Sequence, residues 1–214
     1  MTVRRATPED LPVIERVLTA AFDDDAWTRW TVPEAGRRQR VKVLQRAYAE
    51  HVALPRGAVW VDDAGSAVAA FIPEELPLLP GHVQSRIAAA HGELIDRLDP
   101  SPESNGLRNP ALLRVAAATP SWTLASVGVL PDSRGRGLGT AVCRAGLGWL
   151  DERGLGCVLE TSQARTVGLY RSLGFETLRA TATPGGPAVW EMFRAPGGHP
   201  ATAGRAGRGG TEAA

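Results

Sequence analysis

Three glycines at alternate positions, Gly135, Gly137 and Gly139, lie between the apolar run Val127-Gly128-Val129-Leu130 and a stretch with helical apolar spacing. Pro131-Asp132 ends the first segment, and Ala141, Val142, Ala145, Leu147, Trp149 and Leu150 mark the second. The pattern predicts a strand, a tight turn and a helix. Glycine allows left-handed dihedrals and a close backbone approach to a ligand. The first turn of a helix leaves N–H groups without partners, at the positive end of the helix dipole. With Arg134 and Arg136 among the glycines, the turn reads as a cradle for a phosphate-bearing ligand. Two common phosphate loops are excluded. A P-loop needs Gly-Lys followed by Ser or Thr, and the only lysine in the chain is Lys42. The dinucleotide fingerprint needs G-x-G-x-x-G, whereas these glycines run G-x-G-x-G.

A chain of 214 residues is long enough for one domain with a sizeable core. Its net charge of +1 advertises neither a nucleic-acid groove nor a membrane-seeking patch, so no nucleic acid and no membrane are expected as partners. No basic region followed by a short apolar run opens the sequence, and a cytoplasmic location is expected. Cys143 and Cys157 lie in apolar surroundings and read as buried small residues, too few for a disulfide framework. His51, His82, His91 and His199 are scattered without ligand spacing, so no metal site is expected.

Along the chain, residues 2–6 read as a strand, followed by a helix capped by Thr7 with Pro8 at its first position and running to Phe22. Asp23-Asp24-Asp25 breaks that helix, and residues 33–52 form a second helical segment. Residues 57–62 and 66–72 read as a hairpin turning at Asp63-Ala64-Gly65. Helical patterns follow at 83–98 and 112–118, then a strand at 122–129, the helix 137–153, a strand at 157–160 and a helix at 166–173. Strands at 175–182 and 187–194 complete a single domain over residues 1–195. Residues 196–214 are Gly-, Ala- and Arg-rich without periodicity, which predicts a disordered tail.

Arg-x-x-Gly-x-Gly after a strand ending Val-x-Val-x-Pro closely resembles the acetyl-CoA pyrophosphate loop of the GNAT superfamily of N-acetyltransferases. Leu169-Tyr170-Arg171-Ser172-Leu173-Gly174-Phe175 is similar to that superfamily's Leu/Phe-Tyr-x-x-x-Gly-Phe signature. Segments at 2–10, 18–24, 59–63, 122–129 and 159–162 resemble the actinobacterial puromycin N-acetyltransferase branch, with Asp25-Ala26 standing where that branch has Tyr-Pro. The resemblance implies an α/β (α+β) fold, with a mixed seven-stranded central sheet splayed between strands 4 and 5 and flanked by helices. It implies acetyl-CoA as co-substrate, held by Arg134, Gly135, Arg136, Gly137, Leu138, Gly139 and Thr140 at the pyrophosphate. Main-chain groups of Val127, Gly128 and Val129 would pair with the pantetheine and polarise the thioester, although core packing also accounts for the valines.

Acyl transfer to an amine needs a base for the amine and an acid for the departing thiolate. Tyr170 is the acid that the resemblance implies, and a phenol is protonated at neutral pH. Glu160, at the end of the fifth strand, is the base candidate, with a structural carboxylate as the alternative. Asp24 and Asp25 border the acceptor pocket that the resemblance implies; each singly reads as part of a solvated helix-ending run, and as a group with Asp23 they could draw in a cationic amine. The implied activity is acetylation of a primary amine on a small molecule, plausibly an antibiotic or aminoacyl-nucleoside, by a monomer or homodimer. Acetylation of a protein N-terminus or aminoacyl-tRNA, or a non-catalytic acyl-CoA-binding module, stays open.

Overall fold

The computed structural model describes residues 2–74, 78–98 and 119–198. Among these, seven strands form one mixed sheet in the order β1-β2-β3-β4-β5-β7-β6. They are β1 (Val3–Arg5), β2 (Ala58–Asp62), β3 (Ala67–Pro73), β4 (Ser121–Val129), β5 (Gly156–Thr161), β6 (Glu176–Ala182) and β7 (Ala188–Arg194). The helices are α1 (Leu11–Phe22), α2 (Ala26–Thr31), α3 (Arg37–Tyr48), α4 (Gly81–His91), α5 (Leu138–Asp151) and α6 (Ala164–Ser172). A π-helical turn, Ala49–Ala53, and a last turn, Leu54–Arg56, prolong α3.

Side-chain alternation divides the core into two layers. Ala58, Trp60, Ala67, Ala69 and Phe71 face α5, where they meet Val142, Leu147 and Leu150. Val59, Val61, Val68 and Ala70 face the other way, onto Ile14, Val17 and Leu18 of α1. Cys143 and Cys157 are buried in the first layer, and burial pushes the Cys143 thiol up to about 12. Each large apolar side chain so buried is worth about 1.5–3 kcal/mol. The 3₁₀ turn Pro8–Asp10 that leads into α1 is fixed by a capping box in which the Asp10 carboxylate accepts the Thr7 N–H at 2.8 Å. Arg4 donates to both oxygens of that carboxylate at 2.7 Å and lowers its pKa to about 2.

The feature that makes room for a site is the parallel pair β4–β5. Its register runs Ser121↔Gly156, Trp122↔Cys157, Thr123↔Val158 and then stops, although β4 continues to Val129 and β5 to Thr161. Beyond that point β4 pairs only with β3, and β5 only with β7. The expected sheet and its splay between strands 4 and 5 are therefore present.

Element boundaries follow the sequence pattern closely, with three differences. Residues 26–31 form α2, where the acidic run at 23–25 read only as a helix breaker. The segment expected as one helix at 83–98 divides at Gly92, which has φ 56°. Pro196–Gly198, assigned to the tail, forms a turn on the end of α5, with the Gly197 N–H donating to Asp151 Oδ1 at 2.7 Å. The helix expected at 112–118 and the tail beyond residue 198 lie outside the described residues. None of the described helices is long and apolar enough to cross a membrane.

Candidate active site

The splay opens into a cavity of about 1100 Å³. One side is β4 and the glycine turn. Val127, Val129, Arg134 and Gly139 line the cavity here. Gly135 and Gly137 have φ 76° and 75°, and a Cβ at either would meet nothing within 4 Å, so both leave open space in front of the loop. Gly137 is the N-cap of α5, and its carbonyl accepts the Ala141 N–H at 3.0 Å. The N–H groups of Leu138, Gly139 and Thr140 therefore fall in the first turn, where a helix has no internal acceptors for them.

Three candidates face elsewhere. Arg136 and Leu138 line a separate hollow of about 470 Å³ with Thr2, Asp62, Asp63 and Ser66, so the two arginines of the turn serve different surfaces. Gly128 lies under α1, where a Cβ would stand 3.0 Å from Leu18 and 3.1 Å from Ala21. Its missing side chain lets α1 descend onto β4 and bring Ala21 and Phe22 to the cavity wall.

Across the gap, Glu160 and Tyr170 both line the cavity. Glu160 is exposed on the cavity surface, crowded by protein from the surrounding walls, and it sits opposite Glu191 of β7 in register. Removal from bulk water, followed by the Glu191 charge, pushes its carboxyl up to about 8. The Tyr170 ring stands edge-on to Phe175 with centroids 6.0 Å apart. Burial raises its phenol above the ordinary value, with smaller contributions from Cys143, Asp25 and Cys157, so it holds its proton.

The acidic run divides. The Asp24 carboxylate is exposed, pairs with Arg29 at 2.7 Å and is not part of the cavity wall. Asp25 is buried in the wall and caps α2, accepting the Thr28 N–H at 3.1 Å. Its other oxygen accepts from Gln163 Nε2 at 2.6 Å and Ser162 Oγ at 3.4 Å. One carboxylate thus ties α2 to the β5–α6 turn that follows Glu160. The turn is also braced internally, with Thr166 Oγ1 donating to the Gln163 carbonyl at 2.8 Å.

Sequence reasoning passed over His91, Tyr48 and Gln163. His91 is buried in the cavity wall, and its Nδ1–H donates to the Thr31 carbonyl at 2.8 Å. Burial holds the imidazole below its ordinary value, so it is neutral at pH 7, with Nε2 as an acceptor. A lone histidine without ligand spacing carries no signal. The Asp-x-x-Thr cap of α2 did carry one, in residues 25–28. Among the described residues, no group of three or more His, Cys, Asp or Glu is placed to hold a metal ion.

Residues 20–175 match the acetyltransferase (GNAT) family. The chain belongs to that family. Acetyl-CoA is the acyl donor of GNAT enzymes. A mycothiol acetyltransferase of Rhodococcus opacus is 31% identical over 171 residues, which is 78% of this chain and 43% of that protein. A second, from Saccharomonospora viridis, is 49% identical over 55 residues, or 24% of this chain and 18% of that one. The chain thus spans less than half the length of these relatives. Among solved structures, a Corynebacterium glutamicum protein described as histone acetyltransferase HPA2 and related acetyltransferase superposes with a TM-score of 0.69. It is 24% identical, with 94% of this chain and 98% of that one covered. The Drosophila melanogaster polyamine N-acetyltransferase gives a TM-score of 0.55 at 15% identity, covering 91% and 99%. At these identities the likeness concerns the fold.

Proposed function

We propose that the protein transfers the acetyl group of acetyl-CoA to a primary amine of a small molecule, plausibly an antibiotic or aminoacyl-nucleoside, in resistance or tailoring. The observation that carries this reading is the cavity at the splay. It joins the glycine turn and the unpaired side of β4 on one flank to Glu160 and Tyr170 on the other. The first turn of α5 and Arg134 hold the pyrophosphate, and main-chain groups of Val127 and Val129 align the pantetheine. Glu160, with its pKa near neutrality, takes the amine proton as nitrogen attacks the thioester carbonyl. The C–N bond forms, the C–S bond breaks, and Tyr170 protonates the departing thiolate.

The acceptor side supports an amine on an apolar body. Phe22, Trp27, Leu44 and Ile87 supply its surface, and Glu74 supplies negative charge for a cation. Likeness to proteins named mycothiol acetyltransferases favours a second acceptor class, a small molecule of mycothiol metabolism. Release of free thiol from acetyl-CoA, followed across a panel containing aminoacyl-nucleosides, aromatic amines and mycothiol precursors, tests both. Turnover confined to the first two supports the leading reading, and turnover confined to the third replaces it. Release with no amine in the panel overturns amine acetylation.

A further inference from the structure

Tyr48 is the last residue of α3, at the point where the helix widens into the π-helical turn Ala49–Ala53. Such turns are rare and gather at functional sites. The Tyr48 ring packs against the layer formed by Ile14, Val17 and Val59. Its hydroxyl is buried and finds no hydrogen-bond partner among the described residues, yet the residue lines the cavity. A buried tyrosine hydroxyl ordinarily has a partner, because leaving a donor unpaired away from water is costly. Phenylalanine would fill the same space without that cost.

Its neighbours in the wall point the same way. Gln45, one turn earlier on α3, and the neutral His91 of α4 line the same cavity. The cavity's arginines, Arg134 and Arg165, come from the glycine turn and α6 instead. The wall built by α3 and α4 thus presents uncharged hydrogen-bonding groups set in apolar surface, with the Asp25 carboxylate beside it at the cap of α2. Burial also raises the Tyr48 phenol above its ordinary value, which keeps it a donor.

We propose that Tyr48 is a specificity-determining residue for the acceptor, its hydroxyl donating a hydrogen bond to an uncharged oxygen on the acceptor's apolar body. The inference rests on the reading of this cavity as an amine-acetylation site, and it narrows the substrate class. The preferred amine carries a carbonyl, ether or hydroxyl oxygen distant from its charge.

The test compares wild type with Tyr48→Phe on phenethylamines bearing a carbonyl, ether or hydroxyl oxygen on the ring, each paired with its hydrocarbon counterpart. In wild type, at least one oxygen-bearing amine should have the lower KM of its pair. Tyr48→Phe should raise that KM by about 3–10-fold and leave the hydrocarbon partner and acetyl-CoA unchanged. The melting temperature should not fall, because the hydroxyl removed has no hydrogen-bond partner among the described residues. Unchanged KM ratios throughout the panel, or a lower melting temperature with unmoved amine KM, overturn the proposal while leaving amine acetylation standing. A wild type that acetylates neither this panel nor any amine of the thiol-release panel overturns both.

Discussion

The β4 side of the cavity is made largely of backbone, and the side facing it largely of side chains. At the glycine turn the working parts are N–H groups of a helix start and the main chain of an unpaired strand flank. What the sequence must supply there is mostly absence: no Cβ at Gly135 or Gly137, and a proline to end the strand. The opposite side gathers Asp25, Tyr48, His91, Glu160 and Tyr170 from α2, α3, α4, β5 and α6. Its geometry depends on ties between segments far apart in the chain, such as Asp25 to Gln163. A backbone site recognises what every donor molecule shares, whereas a side-chain site can be retuned one residue at a time. The first therefore suits an invariant co-substrate, and the second a particular acceptor.

The sharpest separation of the two sides comes from the chemistry between them. Tyr170→Phe keeps the ring and its contact with Phe175 and loses only the donor. Turnover should drop by about 10²–10⁴ with acetyl-CoA affinity unchanged, the signature of an interaction made in the transition state. Near-wild-type kcat when chemistry limits the rate would reduce Tyr170 to a packing residue.

Next in size is the backbone site itself. Gly137→Glu places a carboxylate in the open space before the loop, and acetyl-CoA binding by calorimetry should weaken by more than about tenfold, because both charge and bulk oppose the pyrophosphate. The left-handed φ adds strain of roughly 1–2 kcal/mol. Gly137→Ala carries the same strain without the charge and should bind at least several-fold better than the glutamate variant. Equal affinity of wild type and Gly137→Glu would remove the loop from cofactor binding.

This division also explains what could be read from the sequence. Gly135 and Gly137 announce their turn because their positive φ favours glycine, and the Tyr170 signature lies in one short stretch. The seven strands were legible for the same reason, since alternation and turn residues are local, whereas the splay followed from the resemblance to the family. Asp25, read as charge available to an amine, lies in the cavity wall, and what no spacing announced is that its oxygens also accept three hydrogen bonds as a cap and a tie. His91 and Tyr48 were invisible because their meaning comes from the wall they enter, which no spacing rule encodes.

Breaking the tie is the third test. Gln163→Ala leaves the Asp25 charge and its cap of α2 in place and removes the shortest bond to the β5–α6 turn. The amine KM should rise by about 3–10-fold with acetyl-CoA KM unchanged. Asp25→Ala should do the same and also lower stability by about 0.5–2 kcal/mol through the lost cap. If Asp25→Ala impairs the amine while Gln163→Ala does nothing, the carboxylate acts on the acceptor directly, and the side-chain wall needs no tie.

The smallest effect concerns Glu160, at the seam of the two sides. Its carboxyl is raised from 4.5 to about 8 by removal from water and by Glu191, so the folded protein holds a proton that the unfolded chain has released. That contribution to stability is fully present below about pH 4.5 and is lost as pH rises through about 8. Glu160→Gln keeps the shape and cannot ionise. Its melting temperature should match the wild type in acid and exceed it by a widening margin between pH 5 and pH 9, reaching a few degrees. The comparison of the two proteins cancels every other titration. A gap constant across that range would mean that Glu160 ionises like a solvated carboxylate, and the base would then have to be sought elsewhere on the acceptor side, where His91 already presents a neutral Nε2.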